Sequence, residues 1–219
     1  YRAAAGLALP LAYRKVAARL AGHGVPAQRR RERLGHATEA RPDGQLVWFH
    51  AASVGESLAA LTLIFKLSAR LPEAQFLLTS GTATSAEMAA RRMPDTCRHQ
   101  YAPLDAPGPV RRFLDHWRPD AGIFVESELW PVTLTAARKR GMPLALVNAR
   151  LSPRSIRRWQ KQAPTAEFVL DQFTLFLSQN ARMADDLRAI GAPADRVKPG
   201  GNLKAAAAPL PADENLLAG

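Results

Sequence analysis

Two glutamate-containing stretches of the sequence have the residue types of a catalytic centre. The first is HAASVGE, residues 50–56, which ends the apolar run 46–50 and precedes a helix-spaced apolar run. A carboxylate at Glu56 could act as a general base that deprotonates a substrate hydroxyl. Ser53 and Gly55 are small enough to let a ligand approach the backbone, and Gly55 can adopt dihedral angles closed to other residues. The alternative, favoured by spacing alone, is that Glu56 only caps the helix and interacts with its dipole.

The second stretch, ESELWP at residues 126–131, places two carboxylates two positions apart after another apolar run. Glu126 and Glu128 are costly to bury unless each has a partner or a chemical task. One interpretation is a paired-carboxylate hydrolase. The other is that one carboxylate accepts backbone N–H groups while its neighbour pairs with an arginine. Pro131 fits the first turn of a following helix.

Two further clusters carry no carboxylate. The loop TSGTATS, residues 79–85, combines hydroxyls and a glycine that could cradle an anion or a sugar, with Thr82 as the candidate substrate-binding residue. Equally, Thr84 or Ser85 could serve only as a helix N-cap, and the pattern favours capping. The stretch NARLS, residues 148–152, opens into a basic cluster and could bind phosphate or lipid head groups.

Short apolar runs that alternate with helix-spaced segments predict a parallel sheet covered on both faces. The fold class is therefore α/β, a Rossmann-like doubly wound parallel sheet. In such sheets ligands bind at the carboxyl ends of the strands, where all four clusters fall. The predicted strands are 46–50, 76–79, 99–102, 122–125, 144–148 and 174–177, with a short one near Val197. The predicted helices are 56–71, 82–93, 109–116, 129–140 and 181–190.

The net charge of +11 favours anionic partners, namely nucleic acid, an anionic lipid surface or phosphorylated substrates. The alternative is that arginine serves only solubility in a protein encoded by a high-GC genome. Aromatic residues are not interleaved with the basic runs as they are in stacking platforms, so nucleic acid is not expected as a partner. One basic cluster lies within residues 1–41. The other comprises Arg150, Arg154, Arg157, Arg158 and Lys161.

Neither a metal nor an organic cofactor is expected. Cys97, His99 and His116 lack the spacing of metal ligands. The single cysteine excludes an intramolecular disulfide and leaves the redox compartment cytosolic or unconstrained. The sequence shows no Ser-His-Asp arrangement, no glycine-rich dinucleotide fingerprint and no P-loop.

Composition divides the chain into three parts. Residues 1–41 form a basic N-terminal segment, residues 42–204 the Rossmann-like domain, and residues 205–219 a linker rich in Ala and Pro. The apolar stretch Ala3–Tyr13 is too short to span a bilayer, which needs about 20 apolar residues. We expect an interfacial, membrane-associated helix or the remainder of a longer hydrophobic segment. The alternative is an amphipathic helix that packs on its own domain.

Four motifs, taken together, resemble the N-terminal domain of the 3-deoxy-D-manno-octulosonic acid (Kdo) transferases. They are FHAASVGE (49–56), YAPLD (101–105), ESELWP (126–131) and NARLS (148–152). The resemblance implies one half of a GT-B glycosyltransferase, in which two Rossmann-like domains face each other across a cleft. This half would take the acceptor, and a C-terminal half beyond the chain would bind the nucleotide sugar. The chain alone is therefore expected to be inactive.

The resemblance also implies the reaction. The enzyme would transfer Kdo from CMP-Kdo to a lipid A precursor, lipid IVA, in lipopolysaccharide biosynthesis. The transfer would invert the anomeric configuration without a metal or cofactor, at the cytoplasmic face of the bacterial inner membrane. Glu56 matches the glutamate of the family's S-V-G-E motif and is the expected base. The helix dipole is expected to lower its pKa.

Other residues are carried over with less defined roles. Those expected to shape the site or contact substrate are Ser53, Gly55, Thr82, Glu126, Glu128, Asn148 and Arg150. Arg154, Arg157 and Arg158 are expected to attract the acceptor's phosphates and the anionic membrane surface. Ser85 stands where relatives often carry a glycine. The alternatives are a GT-B glycosyltransferase with another donor or acceptor, and a non-enzymatic basic module that binds membranes or nucleic acid.

Overall fold

The computed structural model describes residues 2–203 of the 219-residue chain, so the predicted linker 205–219 lies outside the described residues. Within the described part, the strands form one parallel sheet. They are β1 (Leu46–His50), β2 (Gln75–Ser80), β3 (Cys97–Tyr101), β4 (Ala121–Val125), β5 (Leu144–Ala149), β6 (Leu175–Ser178) and β7 (Val197–Pro199). Their order in the sheet is β3-β2-β1-β4-β5-β6-β7, and each neighbouring pair is parallel.

Helices connect these strands and extend the chain at its N-terminal end. They are α1 (Arg2–Gly22), α2 (Ala27–Arg30), α3 (Val54–Ser68), α4 (Ala83–Arg92), α5 (Pro107–Trp117), α6 (Pro131–Arg138), α7 (Pro153–Gln160), α8 (Ala163–Leu170) and α9 (Ala181–Ala189). Two short 3₁₀ turns cover Arg31–Leu34 and Ala194–Arg196.

The sheet is covered on both faces, and its central strands are mostly apolar. All five residues of β1 are buried. Leu46 and Trp48 belong to a core that includes side chains of α5, α6, α8 and α9. Val47 and Phe49 belong to a second core, with side chains of α3 and α4. The predicted α/β doubly wound fold is confirmed, and the seven predicted strands are present.

Three helices, α2, α7 and α8, do not appear in the sequence-based prediction. α7 has no buried residue, and only Ile156 and Trp159 pack partly against the first core. Its N-terminal signal is nevertheless present: the Ser152 hydroxyl accepts the Ser155 N–H (3.1 Å), and Pro153 occupies the first helical position. The predicted start of α6 at residue 129 is wrong by two residues, because that helix begins at Pro131.

The basic N-terminal segment is joined to the sheet through a buried carboxylate. Glu32 is fully buried. It accepts hydrogen bonds from Arg29 Nε (3.0 Å), from the Thr38 hydroxyl (2.5 Å) and from the backbone N–H of Tyr101 at the end of β3 (2.7 Å). Removing one partner of a buried, hydrogen-bonded ion pair leaves the other uncompensated in a low dielectric. Glu32 therefore fixes the segment around α2 against the carboxyl edge of the sheet.

The two ends of helix α1 differ in how far their apolar side chains are buried. Leu20, near its end, is buried against Ala83, Ala86 and Tyr101. Leu7 and Leu11, inside the predicted apolar stretch Ala3–Tyr13, are 85% and 75% exposed. Across residues 2–203, α1 included, no helix combines the length and the hydropathy that a bilayer crossing requires.

We predict that Glu32→Ala lowers the free energy of unfolding by about 3–5 kcal/mol, because Arg29 Nε, the Thr38 hydroxyl and the Tyr101 N–H all lose their acceptor. Glu39→Ala is the matched control. Its carboxylate is about half exposed and lies 3.9 Å from Arg98, so we expect a loss below about 1 kcal/mol. Urea unfolding followed by circular dichroism measures both values. Equal losses in the two variants would contradict the structural role assigned to Glu32.

Candidate active site

The candidate active site lies where the strand order of the sheet reverses, between β1 and β4. The chain proceeds from β1 to β2 and β3 on one side, and from β4 to β5, β6 and β7 on the other. The loops after β1 and β4 therefore diverge and leave a crevice at the carboxyl edge, the usual ligand site of such sheets. These loops are HAASVGE and ESELWP. The fold thus brings Glu56 close enough to Glu126 and Glu128 for their charges to interact.

Glu56 is held in the first turn of α3 by a capping arrangement. Ser53 is the N-cap residue, and its hydroxyl oxygen accepts the Glu56 N–H at 3.3 Å. In return, Glu56 Oε1 accepts the Ser53 hydroxyl (2.8 Å), and Oε2 accepts the N–H of Ala52 (2.8 Å). The predicted role of Glu56 in capping the helix is therefore confirmed by these hydrogen bonds. In this arrangement both carboxylate oxygens of Glu56 keep lone pairs that can accept a further hydrogen bond.

The structure corrects two expectations about this loop. Burial raises the pKa of Glu56 above its ordinary value, and the negative charges of Glu128 and Glu126 act in the same direction. The hydrogen bonds from Ala52 and Ser53 oppose this rise but do not cancel it. The expected lowering of the pKa by the helix dipole is therefore wrong. Gly55 lies within α3 and does not adopt a positive φ, so the backbone conformation suggested for it is not used.

Glu128 belongs to a hydrogen-bond network across the sheet edge. Its Oε2 lies 3.2 Å from His50 Nε2 and accepts the indole N–H of Trp130 (2.6 Å). The other ring nitrogen of His50 contacts the Thr79 hydroxyl at 2.9 Å, and Trp48 donates its indole N–H to the same hydroxyl (2.8 Å). Burial tends to raise the pKa of Glu128, but these contacts with His50 and Trp130 hold it below its usual value. The partner of this carboxylate is thus a histidine, not the arginine considered from the sequence.

Glu126 and Asn148 occupy the same unusual backbone region at the ends of neighbouring strands. Their φ angles are 61° and 52°, in the left-handed region that non-glycine residues seldom adopt. Asn148 Nδ2 donates to Glu126 Oε1 at 3.4 Å, and Asn148 Oδ1 accepts the N–H of Leu203 (3.1 Å). Strained backbone of this kind costs about 1–3 kcal/mol per residue and concentrates at functional sites. The E-x-E and N-A-R motifs therefore form one interlocked unit.

Asp105, in the YAPLD motif, stabilises the second carboxylate loop from a distance. Its carboxylate accepts the backbone N–H groups of Val132 (3.2 Å) and Thr133 (2.8 Å), together with the Thr133 hydroxyl (2.7 Å). Trp130, the N-cap residue of α6, makes no side-chain cap. Asp105 thus caps α6 from the loop after β3. Sequence reasoning gave no role to Asp105 or His50, and the signal that could have found both is their position at strand ends.

The remaining predicted residues lie along the same edge of the sheet. Thr82 is exposed and is the N-cap of α4, accepting the Ser85 N–H at 3.2 Å, so the assignment of this cap to Thr84 or Ser85 is wrong. Arg150 is exposed, and its backbone N–H lies 3.4 Å from the Glu126 carbonyl oxygen. Arg154, Arg157 and Arg158 are exposed on α7. Between residues 2 and 203, no three His, Cys, Asp or Glu side chains are grouped so that they could hold a metal ion.

Solved structures share this fold. A UDP-GlcNAc 2-epimerase from Neisseria meningitidis, bound to UDP-GlcNAc, matches with a TM-score of 0.54 and 11% sequence identity. The match covers 73% of this chain and 47% of the epimerase. A 2-epimerase described as putative from Listeria monocytogenes matches with a TM-score of 0.53 and 14% identity, over 80% of this chain and 51% of that one. At these sequence identities the likeness shows the fold alone. The match covers about half of each epimerase chain.

Sequence comparisons identify closer relatives. The chain is 40% identical to a 3-deoxy-D-manno-octulosonic acid transferase of Rickettsia felis over 78% of its own length and 36% of the relative. It is 33% identical to the transferase of that name from Haemophilus influenzae, over 81% of the chain and 42% of the relative. The chain thus spans about two-fifths of the length of these relatives. A sequence model of the 3-deoxy-D-manno-octulosonic-acid transferases matches residues 28–207, and the chain therefore belongs to this family.

Proposed function

We propose that this chain is the acceptor-side domain of an enzyme that transfers Kdo from CMP-Kdo to a lipid A precursor, lipid IVA. In this proposal Glu56 is the general base. The observation that carries it is the position of Glu56: a half-buried carboxylate at the strand-order reversal, with a raised pKa and two further carboxylates beside it. A carboxylate with a raised pKa is a stronger base than an ordinary exposed carboxylate.

The proposed reaction is a single displacement. The acceptor hydroxyl oxygen attacks the anomeric carbon of Kdo as the bond from that carbon to the CMP phosphate oxygen breaks. CMP leaves with the bonding electron pair, and Glu56 takes the hydroxyl proton. One displacement at one carbon inverts its configuration, and no metal or cofactor takes part.

The other residues of the site would hold this base and the acceptor in place. Ser53 and the Ala52 N–H orient the Glu56 carboxylate, while Gly55 leaves space above the first turn of α3. The Glu126–Asn148 contact fixes the opposite wall. In the proposal Thr82 and Arg150, both exposed at the same edge, contact the acceptor together with Glu128.

The proposal places the protein at the cytoplasmic face of the bacterial inner membrane. α7 rests on the first core through Ile156 and Trp159 and exposes Arg154, Arg157 and Arg158. These arginines make no ion pair with any residue of the described range 2–203. Unpaired, exposed guanidinium groups attract anionic lipid and phosphate. The exposed Leu7 and Leu11 of α1 add apolar surface suited to a membrane interface.

We predict that Glu56→Gln, in the full-length enzyme, lowers kcat at least 100-fold, because glutamine cannot accept the hydroxyl proton. Glutamine is also a normal residue at this position of a capping box, so the fold should persist. Steady-state transfer of Kdo from CMP-Kdo to lipid IVA measures the effect. Glu73→Gln, at an exposed position before β2 at the opposite edge of the sheet, is the matched control and should leave kcat unchanged. Near-normal turnover by Glu56→Gln would remove Glu56 as the base.

The pH dependence of kcat/KM gives a second prediction. The base must be ionised, so activity falls as the pH drops through the pKa of Glu56. Since that pKa is raised, the acid limb should lie above pH 4.5, the ordinary value for the group. Glu128→Gln removes one of the negative charges that raise this pKa, so the limb should move to lower pH. A limb that stays in place or moves upward in Glu128→Gln would contradict the assignment.

The basic face of α7 gives a third prediction. Replacing Arg154, Arg157 and Arg158 together by Gln should weaken binding to phosphatidylglycerol vesicles roughly 100-fold, since each basic residue near an anionic surface contributes about 1 kcal/mol. Vesicle co-sedimentation at fixed ionic strength measures it. The control removes the same charge from the opposite edge of the sheet, by replacing Arg70, Arg91 and Arg92. Equal losses of vesicle binding in the two triple variants would show that binding depends only on net charge. They would contradict a specific contact between α7 and the membrane.

A further inference from the structure

A small cavity lies beside the candidate base. It has a volume of about 60 Å³, which is enough for a functional group but far below the roughly 300 Å³ that encloses a whole ligand. Its lining includes His50, Ala52, Gly81 and Trp130, all at the carboxyl edge of the sheet, and Arg33. The N–H of Ala52 is the group that donates to Glu56 Oε2 at 2.8 Å. One residue, Ala52, therefore both lines the cavity and holds the base.

Arg33 reaches this cavity from the basic N-terminal segment and is fixed there at two points. Its Nη1 donates to the carbonyl oxygen of Ala102, and its own backbone carbonyl accepts the N–H of Leu104 at 2.9 Å. Both partners belong to the loop after β3. The guanidinium is thus held by one backbone carbonyl, and the backbone of Arg33 is bonded to the same loop.

The opposite edge of the guanidinium has no partner in the described part of the chain. Nε is buried and makes no hydrogen bond there, and Nη2 makes none either. None of the ion pairs of residues 2–203 includes Arg33. Burial lowers the pKa of Arg33 to about 10, which leaves it charged at neutral pH. A buried cation without a counter-charge is costly, and Nε with Nη2 forms the fork that binds carboxylates in a bidentate manner.

We propose that Arg33 and this cavity bind the carboxylate of the sugar that is transferred. The inference rests on the proposed function, in which the donor sugar is an octulosonic acid. In a 2-keto sugar acid the carboxylate is bonded directly to the anomeric carbon. Binding it beside Ala52 would place that carbon next to Glu56 and the attacking hydroxyl.

The charge of the cavity favours a carboxylate over a phosphate. Among the described residues that line it, Arg33 is the one with a permanent positive charge. A carboxylate carries one negative charge, which a single guanidinium neutralises. A phosphate monoester carries about 1.5 to 2 negative charges at neutral pH and would remain partly uncompensated in a largely apolar pocket. The acceptor's phosphates are therefore assigned elsewhere.

The test is a thermodynamic cycle in the full-length enzyme. Arg33→Gln should lower kcat/KM for CMP-Kdo about 10- to 100-fold, the loss expected when a charged hydrogen-bond pair is broken. A donor whose sugar carboxylate is replaced by a primary carboxamide should show a similar loss with the wild-type enzyme. If the two groups contact each other, the losses do not add, and Arg33→Gln uses the two donors about equally well. Arg31→Gln, exposed and two residues away, is the control and should keep the wild-type preference between donors.

Other outcomes would overturn the assignment. The carboxylate site would be contradicted if the losses in kcat/KM from Arg33→Gln and from the carboxamide donor added fully. It would also be contradicted if Arg33→Gln had wild-type kinetics. The same cycle can be run with a dephosphorylated acceptor in place of the carboxamide donor. If the losses in kcat/KM from Arg33→Gln and from dephosphorylation do not add, the cavity binds a phosphate. If Arg33→Gln does not fold, Arg33→Lys decides by the same cycle, since it keeps the charge and loses the fork. A wild-type enzyme that transfers no Kdo would contradict the proposed function and this inference together, whereas the preceding results contradict the carboxylate site alone.

Discussion

The reversal of strand order between β1 and β4 is the constraint on which the site depends. Parallel strands need long crossover connections, and the two halves of this sheet wind away from each other at that point. The loops that leave β1 and β4 therefore cannot cover their own carboxyl ends. β1 is buried at every position and β4 at Gly122, Phe124 and Val125, so the ends of the two strands cannot shift relative to each other without disturbing the packed cores. The crevice therefore opens from a point where the two strands are fixed by the cores on both faces of the sheet.

Three glutamate side chains in one crevice repel one another when they are ionised. The surrounding residues stabilise the ionised forms of these carboxylates to different extents. Glu128 receives His50 and the Trp130 indole, and its pKa falls. Glu56 receives one hydroxyl and one backbone N–H, which are too few to offset its burial, and its pKa rises. Neighbouring carboxylates with pKa values displaced in opposite directions are the usual arrangement by which one group is kept ionised while another handles protons. The difference between them lies in their hydrogen-bond partners.

The sequence predicts the sheet well because central parallel strands are largely apolar runs, and the predicted bounds of β1 are the observed ones. It predicts helices poorly where few residues are buried, as in α7. Contacts between distant positions escaped prediction. His50 and Glu128 are 78 residues apart, and Asp105 caps a helix 28 residues later. The predicted direction of the Glu56 pKa shift is also wrong, because the burial that raises this pKa depends on how the loops pack and not on the local sequence pattern.

The side-chain amide of Asn148 has both of its ends occupied. Its oxygen accepts the N–H of Leu203, and its nitrogen donates to Glu126. A planar amide cannot rotate to follow one partner without moving away from the other. Displacement of the chain at residue 203 would therefore be transmitted, through one rigid group, to a carboxylate in the crevice. A force acting at residue 203 would therefore change the shape of the crevice, so the path of the chain leaving β7 is mechanically part of the candidate site.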